Sequence, residues 1–176
     1  MRKVIFAVAS SLDDYIAGKD DVVDWLLWSD DVNAIMTEFW KTIDTALYGR
    51  KTYEATLAMG DSEGAAFTAG IKNYLFSRTM KESPENFELV TEDAGEFVRK
   101  LKQQEGKDIC VMGGGEFARS LLEEDVIDEI AVNIHPVLLG AGVPLFRELT
   151  RQIELELVHC RTLQHGCVFA TYRVKR

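Results

Sequence analysis

The sequence predicts a three-layer α/β/α fold with a mainly parallel sheet and an antiparallel hairpin at its C-terminal end. Short apolar runs that look like strands alternate with segments of helical periodicity, which is typical of parallel sheets covered on both faces. The last two strand-like runs are joined by the short turn LQHGC at 163–167, which predicts a closing hairpin. With 176 residues, 47% of them hydrophobic, the chain fits one domain over residues 1–176.

The first helix has the clearest pattern. Apolar residues recur at helical spacing from Val32 to Ile43, and Ser29 or Asp30 is placed to cap the start of this segment. The run Val4 to Ala9 before it reads as a buried first strand. The polar segment SSLDDYIAGKDDVVDW (10–25) between the two is longer than a simple connection needs to be.

The remaining elements follow in alternation. Gly106 is positioned to end the third helix, and 60–70 is small and polar enough to be a flexible loop. The predicted strands are 4–9, 45–49, 72–77, 87–90, 108–112, 127–134, 153–162 and 167–174. The predicted helices are 30–43, 50–59, 93 or 94 to 104, and 116–124.

Charge and cysteine usage exclude several classes of function. A formal net charge of −9 disfavours binding to the anionic backbone of nucleic acids, and no apolar run is long enough to span a membrane. Three cysteines without a CxxC pair favour a cytoplasmic protein. His159 and His165 form no metal-ligand spacing with the cysteines or with each other, so we expect no metal site.

The glycine segment VMGGGEFARSLL at 111–122 is the strongest candidate for chemistry. Gly113, Gly114 and Gly115 follow a buried strand and precede a helix, and such a helix N-terminus offers unpaired N–H groups to an anion. An equally simple reading is a turn that packs the helix closely on the strand. The segment is not the fingerprint GxGxxG, since position 118 is alanine, and it is not a Walker loop.

Four motifs in order resemble the dihydrofolate reductase superfamily. They are FAVASSLDDYIAG (6–18), ALYGRKTYEA (46–55), VMGGGEFARSLL (111–122) and NIHPVLLGAGVPLF (133–146). The branch they resemble is typified by RibD, the riboflavin-synthesis deaminase-reductase, in its C-terminal reductase domain. The resemblance implies a dihydrofolate reductase-like fold, and it favours a phosphate-binding role for the glycine segment over a turn alone.

The resemblance further implies NADPH, bound in extended form across the sheet. Gly49, Arg50, Lys51 and Thr52 match a strand-to-helix turn that holds phosphates, although Arg50 and Lys51 could also be an exposed basic pair. The other segments that match cofactor-binding positions are Ser77, Arg78 and Thr79 at the adenosine 2′-phosphate, Gly113, Gly114, Gly115, Glu116 and Phe117 at the diphosphate, and Ala9 and Ile16 at the nicotinamide. For Ala9 and Ile16, ordinary core packing is the alternative.

The substrate half of the resemblance is incomplete. The carboxylate that holds the pterin in dihydrofolate reductases corresponds here to a position near Asn33, a turn away from Asp30 and Asp31. The aspartate of the riboflavin branch after the second strand has no counterpart in RKTYEATLAMGD (50–61). Asp13 matches the SLDG motif and is the candidate catalytic residue, with the alternative that it caps a turn.

Aromatic residues around the first helix suit a heterocyclic substrate. Trp25 and Trp28 precede this helix and Trp40 lies on it, where core packing or a dimer contact is the alternative. His135 could face the pocket or pair with a backbone carbonyl.

The expected function is an NADPH-dependent reduction of a small heterocycle. The resemblance is to 5-amino-6-(5-phosphoribosylamino)uracil reductase and dihydrofolate reductase, and it implies a homodimer. A nucleotide-binding protein without turnover is the main alternative, and a reductase of antifolate or xenobiotic metabolism is a third.

Overall fold

The chain, seen in a computed structural model that describes residues 1–59, 70–146 and 148–176, forms an eight-stranded sheet with helices on both faces. The strands are β1 (Val4–Ser11), β2 (Tyr15–Ala17), β3 (Ile43–Gly49), β4 (Lys72–Phe76), β5 (Phe87–Val90), β6 (Asp108–Gly113), β7 (Glu129–His135), β8 (Val143–Pro144), β9 (Leu155–Thr162) and β10 (Val168–Val174). The strand order in the sheet is β5-β4-β3-β6-β1-β7-β10-β9. The helices are α1 (Asp30–Lys41), α2 (Arg50–Met59), α3 (Ala94–Lys102) and α4 (Gly115–Glu123).

The sheet is mostly parallel, as the alternation of elements predicts. β1 pairs in parallel with β6 and β7, and β3 with β4 and β6. The C-terminal hairpin of β9 and β10 adds the antiparallel edge, with β10 against β7. The fold class predicted from the sequence is therefore confirmed, and the predicted loop at 60–70 lies almost entirely outside the described residues.

Two apolar layers sandwich the sheet. On one face Val4 and Phe6 of β1 pack with Val98 of α3 and Leu121 of α4. On the other, Ile5 packs with residues of α1, among them Trp40. Because successive side chains of a strand point to opposite faces, this alternation along β1 fixes which helices cover which side.

Two local predictions differ from the structure, and one short pair of strands was not predicted. Ile43 belongs to β3 rather than to the first helix, which ends at Lys41 because the chain must turn into the sheet. The third helix ends at Lys102, and Gly106, with φ +151°, sits beside Arg2 and Asp44 instead of capping it. The short strand pair β2–β8 carried no sequence signal, since three and two residues are too few for a pattern.

Charged groups close the amino-terminal edge of the sheet. Arg2 pairs with Asp44 and donates to Oγ1 of Thr45 at 2.6 Å. The buried ammonium of Lys102 lies 2.6 Å from Asp128. Buried ions require such partners, so we interpret these contacts as structural. We therefore look for the functional site at the opposite edge of the sheet.

Candidate functional site

The carboxyl ends of the parallel strands meet along one edge of the sheet. β1 ends at Ser11, β3 at Gly49, β4 at Phe76, β6 at Gly113 and β7 at His135. In parallel α/β sheets, ligands bind at this edge, where helix N-termini point at the bound group. All four motifs of the sequence contribute to it.

The glycine segment and the turn between β3 and α2 touch each other. A Cβ atom on Gly49 would lie 3.0 Å from Cβ of Phe117 and 3.3 Å from the carbonyl oxygen of Gly113. A Cβ on Gly114 would lie 3.3 Å from Oγ1 of Thr52. The structure thus brings two of the predicted phosphate-binding segments side by side.

The three consecutive glycines have three different roles. Gly113 has φ +105°, which L side chains rarely adopt. A Cβ on Gly115 would overlap the carbonyl oxygen of Leu145, so this glycine serves close packing, as the turn interpretation expects. Gly114 has φ −81° and no such backbone neighbour, so its missing side chain leaves space beside Thr52.

The N-terminus of α4 supplies donors at this space. Its first intrahelical hydrogen bond runs from the N–H of Ala118 to the carbonyl of Gly114, at 2.9 Å. The N–H groups of Gly115, Glu116 and Phe117 precede it and have no partner within the helix. Together with the partial positive charge of the helix end, they suit an anion.

The first turn of α2 adds cations. Arg50 and Lys51 are exposed, and Arg50 donates to Oε1 of Glu54 at 2.7 Å. Exposed pairs of this kind contribute little free energy, so the guanidinium can exchange Glu54 for a phosphate at small cost.

The segment after β4 presents one guanidinium. The buried Ser77 accepts hydrogen bonds at Oγ from the N–H groups of Thr79 (3.3 Å) and Met80 (3.1 Å), which fixes a tight turn. Arg78, at the apex of this turn, is exposed, and no carboxylate in 1–59, 70–146 or 148–176 forms an ion pair with it. Phe76 stacks on Phe117 with ring centroids 4.9 Å apart, which joins this turn to the glycine segment.

The sheet splits between β1 and β6 at this edge. Their pairing covers only Val4–Phe6 against Ile109–Val111, while β1 continues along β7 as far as Ser11. Ala9 lies on the part of β1 that has left β6. Ile16 of β2 packs against the core on the face of α3 and α4. No sequence pattern predicted this end of the β1–β6 pairing.

Asp13 ties two loops together. Its carboxylate accepts from Oγ of Ser11 at 2.6 Å and from the N–H groups of Leu139 (3.1 Å) and Gly140 (2.7 Å). The hydrogen bond from Ser11 is the main reason that the pKa of Asp13 is lowered. An ionised, three-fold bonded carboxylate favours the capping role over proton donation.

The candidate polar residues at the start of the first helix are either hydrogen-bonded within the protein or exposed to solvent. Asp31 accepts from Ser29 and from the N–H of Gln164 at 2.9 Å, and the Ser29 contact lowers its pKa. Asp30 and Asn33 are exposed. Asp31 therefore joins the start of α1 to the C-terminal hairpin.

A polar cluster lies at the end of β7, which flanks β1 on the side away from β6. The buried His135 packs edge-to-face on Trp25, with ring centroids 5.3 Å apart, and lies 3.2 Å from the amide of Asn133. Burial lowers the pKa of His135. Asn133 pairs in register with Ala9. Sequence reasoning missed Asn133, because an asparagine on a strand gives no signal by itself. Trp40, in contrast, is part of the core, and Trp28 is exposed.

Open space also occurs away from this edge. A cleft of about 460 Å³ lies between α1 and the hairpin, lined among others by Ile5, Phe39, His159 and Phe169. Its lining includes Arg161 but no residue of the glycine segment, of the α2 turn or of the Arg78 turn, so we place the candidate site at the strand ends instead. In the described part of the chain, no three His, Cys, Asp or Glu side chains gather as a metal site. No helix there is both long and apolar enough to cross a bilayer.

Comparison with known proteins identifies the family. The family model described as the RibD C-terminal domain matches residues 2–169. Two Bacillus subtilis (strain 168) proteins are each 34% identical: the uncharacterized protein YyaP, over 97% of this chain and 94% of its own length, and the uncharacterized protein YwjB, over 89% of both chains.

Solved structures show the same fold. A Shewanella sp. PV-4 protein named for riboflavin biosynthesis superposes with a TM-score of 0.86 at 27% identity over 99% of both chains. Dihydrofolate reductase from Enterococcus faecalis, solved with NADP(H), superposes with a TM-score of 0.72 at 15% identity, over 99% of this chain and 97% of that one. A deaminase/reductase from Thermotoga maritima gives 0.73 at 18% identity, and this chain covers 57% of it. By its sequence match and its fold, the chain belongs to the RibD C-terminal domain family.

Proposed function

We propose that the protein is an NADPH-dependent reductase of a small heterocyclic substrate, acting as one domain. The observation that carries the proposal is the convergence of the α4 N-terminus, the α2 turn and the Arg78 turn on one edge of the sheet. Membership of the RibD C-terminal domain family and the likeness to a dihydrofolate reductase solved with NADP(H) support it. The Shewanella neighbour is named for riboflavin biosynthesis, which makes a role in that synthesis one candidate.

The residues at this edge fit a dinucleotide. The amides of Gly115, Glu116 and Phe117 and the open space at Gly114 would receive the diphosphate, with Thr52 beside them. Arg50 and Lys51 would add positive charge, and Arg78 would pair with the 2′-phosphate. The protein would therefore prefer NADPH to NADH.

The cofactor, when bound, supplies the hydride. The residues of the chain would position the cofactor. Ala9 would line the nicotinamide where the pairing of β1 with β6 ends, and Ile16 would border it from the face covered by α3 and α4. Asp13 keeps the β1–β2 loop fastened to the Leu139–Gly140 loop. Such fastening would hold water away from the reacting carbon, which is how a closed site favours transfer to the substrate.

The proposal is tested by mixing the protein with NADPH and following nicotinamide fluorescence and absorbance. Binding should be tight with NADPH and weak with NADH. Oxidation should follow with at least one member of a panel of pterins, pyrimidines, flavin precursors and quinones. Binding without oxidation across the panel would instead support a nucleotide-binding protein, and failure to bind NADPH would contradict both functions.

We also propose that two copies associate through β9. All eight residues of this edge strand are exposed on both faces, among them Leu155, Leu157 and Val158. Unprotected edge strands invite pairing with another chain, and soluble proteins usually cover them. A second copy of the same strand would pair with the backbone N–H and C=O groups at the edge of β9 and cover its exposed leucines.

A further inference from the structure

The segment 23–28, called the strap below, precedes α1 and is attached to the rest of the fold by few contacts. None of its residues is buried, and Leu27 and Trp28 are exposed. Its one internal hydrogen bond runs from the N–H of Leu26 to the carbonyl of Val23 at 3.2 Å. Among residues 1–59, 70–146 and 148–176, a single hydrogen bond joins the strap to another part of the chain, from the N–H of Leu27 to Nδ1 of His135 at 3.2 Å.

His135 is the last residue of β7, and the strap rests on its imidazole ring. The residue is 2% exposed, and the ring of Trp25 packs on it edge-to-face with centroids 5.3 Å apart. The thiol of Cys167 lies 3.6 Å from Nδ1, and the amide of Asn133 lies 3.2 Å from Nε2. One imidazole thus carries both the hydrogen bond and the aromatic contact of the strap.

The position of the proton on this ring follows from its partners. A backbone N–H only donates, so Nδ1 accepts from Leu27 and carries no proton. Burial disfavours the charged imidazolium and lowers the pKa of His135, so the closed form holds a neutral ring with its one proton on Nε2. This proton is directed at the amide of Asn133, whose oxygen and nitrogen are assigned from such partners.

A second proton on the ring must go to Nδ1, where it meets the N–H of Leu27. A protonated Nδ1 is a donor, so Leu27 loses its acceptor and two donors face each other across 3.2 Å. The contact of Nε2 with Asn133 is unaffected, because Nε2 carries a proton in both forms. Protonation therefore acts on the strap and spares the contact within β7.

The other titratable groups around the ring keep their charge when His135 titrates. Burial, with a smaller effect of Asp31, raises the pKa of the Cys167 thiol above 9.0, so the thiol stays neutral. The hydrogen bond from Ser29 lowers the pKa of Asp31 below 3.8, so this carboxylate stays ionised. Asp24, the carboxylate of the strap itself, is exposed. Histidine is the side chain whose charge ordinarily changes between about pH 5 and pH 8.

The strap can open at a lower cost in free energy than the domain can unfold. Since none of its residues is fully buried, opening exposes less apolar surface than the loss of a core element would. The closed strap also buries Nε1 of Trp25 without a hydrogen-bonding partner in the described residues, a penalty that contact with water relieves. Segments with few buried contacts open locally in this way.

We propose that His135 holds the strap in a pH-dependent manner, so that protonation of its imidazole releases 23–28 while the sheet and the helices stay folded. This inference goes beyond the proposed function and does not depend on it. The pKa of His135 is about its ordinary 6.5 in the open form and lower in the closed form. The strap is therefore held most firmly above about pH 6.5 and less firmly as the pH falls toward the closed-form pKa. Because one proton is taken up, the opening constant rises by at most about tenfold per pH unit.

The proposal is tested by ¹⁹F NMR of the whole chain labelled with 5-fluorotryptophan. The signal of Trp25, assigned with Trp25→Phe, should shift between about pH 8 and about pH 5, with the same midpoint as the ring signals of His135. The signal of the core residue Trp40 and the far-UV circular dichroism should stay constant. A Trp25 signal that ignores the titration of His135, or a ring that titrates only when the circular dichroism is lost, would overturn the proposal.

His135→Asn separates the proton from the hydrogen bond. The side-chain oxygen of asparagine can accept from Leu27 but does not titrate, so the Trp25 signal should lose its pH response. His165→Asn is the matched control: this histidine is exposed and has φ +61°, a region that asparagine tolerates, and the response should remain. A response retained in His135→Asn, or lost in His165→Asn, would contradict the assignment to His135.

A measurement on the wild type decides the matter if His135→Asn does not fold. Hydrogen exchange of the Leu27 amide, corrected for its intrinsic rate at each pH, reports opening of the strap. Its protection should fall by up to about tenfold per pH unit across the titration of His135, while amides of β1 keep theirs. Constant protection at Leu27, or an equal fall in β1, would overturn the proposal.

Discussion

The carbonyl oxygen of Leu145 occupies the place where a side chain on Gly115 would have to go. One residue earlier, Gly114 faces Thr52 with room to spare on its remaining sides. Adjacent glycines in one motif therefore serve different ends: Gly115 allows the chain after β8 to pack on α4, and Gly114 leaves space at the helix N-terminus.

Substitutions at the two glycines should separate stability from binding. Gly115→Ala should destabilise the protein by about 1–3 kcal/mol, the usual cost of forcing a group into a packed site, measured by urea denaturation. Gly114→Val should retain most of the wild-type free energy of unfolding, because the φ of −81° at this position suits any residue. The same variant should lose NADPH binding. Tight NADPH binding by Gly114→Val would return the segment to a structural turn.

Arg78→Ala should weaken NADPH about ten- to a hundredfold, the equivalent of one charge-assisted contact, and leave NADH affinity nearly unchanged. Only NADPH carries the phosphate that this guanidinium would meet. Fluorescence titration with both cofactors measures the difference. Lys100→Ala removes an exposed cation of α3 that pairs with Glu92 and should affect neither. Equal losses for both cofactors in Arg78→Ala would remove the assignment.

Asp13→Asn should reduce stability at neutral pH. The folded-state pKa of Asp13 lies below its ordinary value of 3.8, so the ionised carboxylate stabilises the folded state above that pH. As the pH falls through the folded-state pKa this contribution is lost, and wild type and variant should converge. Urea denaturation across this range tests it, with the exposed Asp24→Asn as control. If Asp13 were instead the proton donor, the variant would change the shape of the pH–rate profile.

Leu157→Lys should convert a homodimer into monomers. Leu157 is 55% exposed on β9, and a charge there opposes strand pairing across the edge. Analytical ultracentrifugation of the wild type, the variant and Leu149→Lys, an exposed leucine outside the strand, measures the assembly. A monomeric wild type, or a dimeric variant, would argue against β9 as the contact.

The sequence by itself determined the layer architecture and the segments worth examining. Apolar periodicity gave the helices and strands because burial acts locally on each element, and the order of elements allowed a parallel sheet with an antiparallel end. The motif around Gly113 to Phe117 could be singled out because a strand, a glycine turn and a helix are contiguous in the chain. The prediction that Gly106 ends the third helix was wrong. This glycine instead packs closely against the side chains of Arg2 and Asp44, which are far from it in the sequence.

Only the tertiary structure decided what individual residues do. The role of Gly115 depends on Leu145, and that of Asp13 depends on Leu139 and Gly140. These partners are far apart in the chain, and hydrogen bonds and steric exclusion act between atoms in space. A single sequence records the residues but not the approach of their atoms, which is why the end of the β1–β6 pairing and the contact between Asn133 and His135 appeared only in three dimensions.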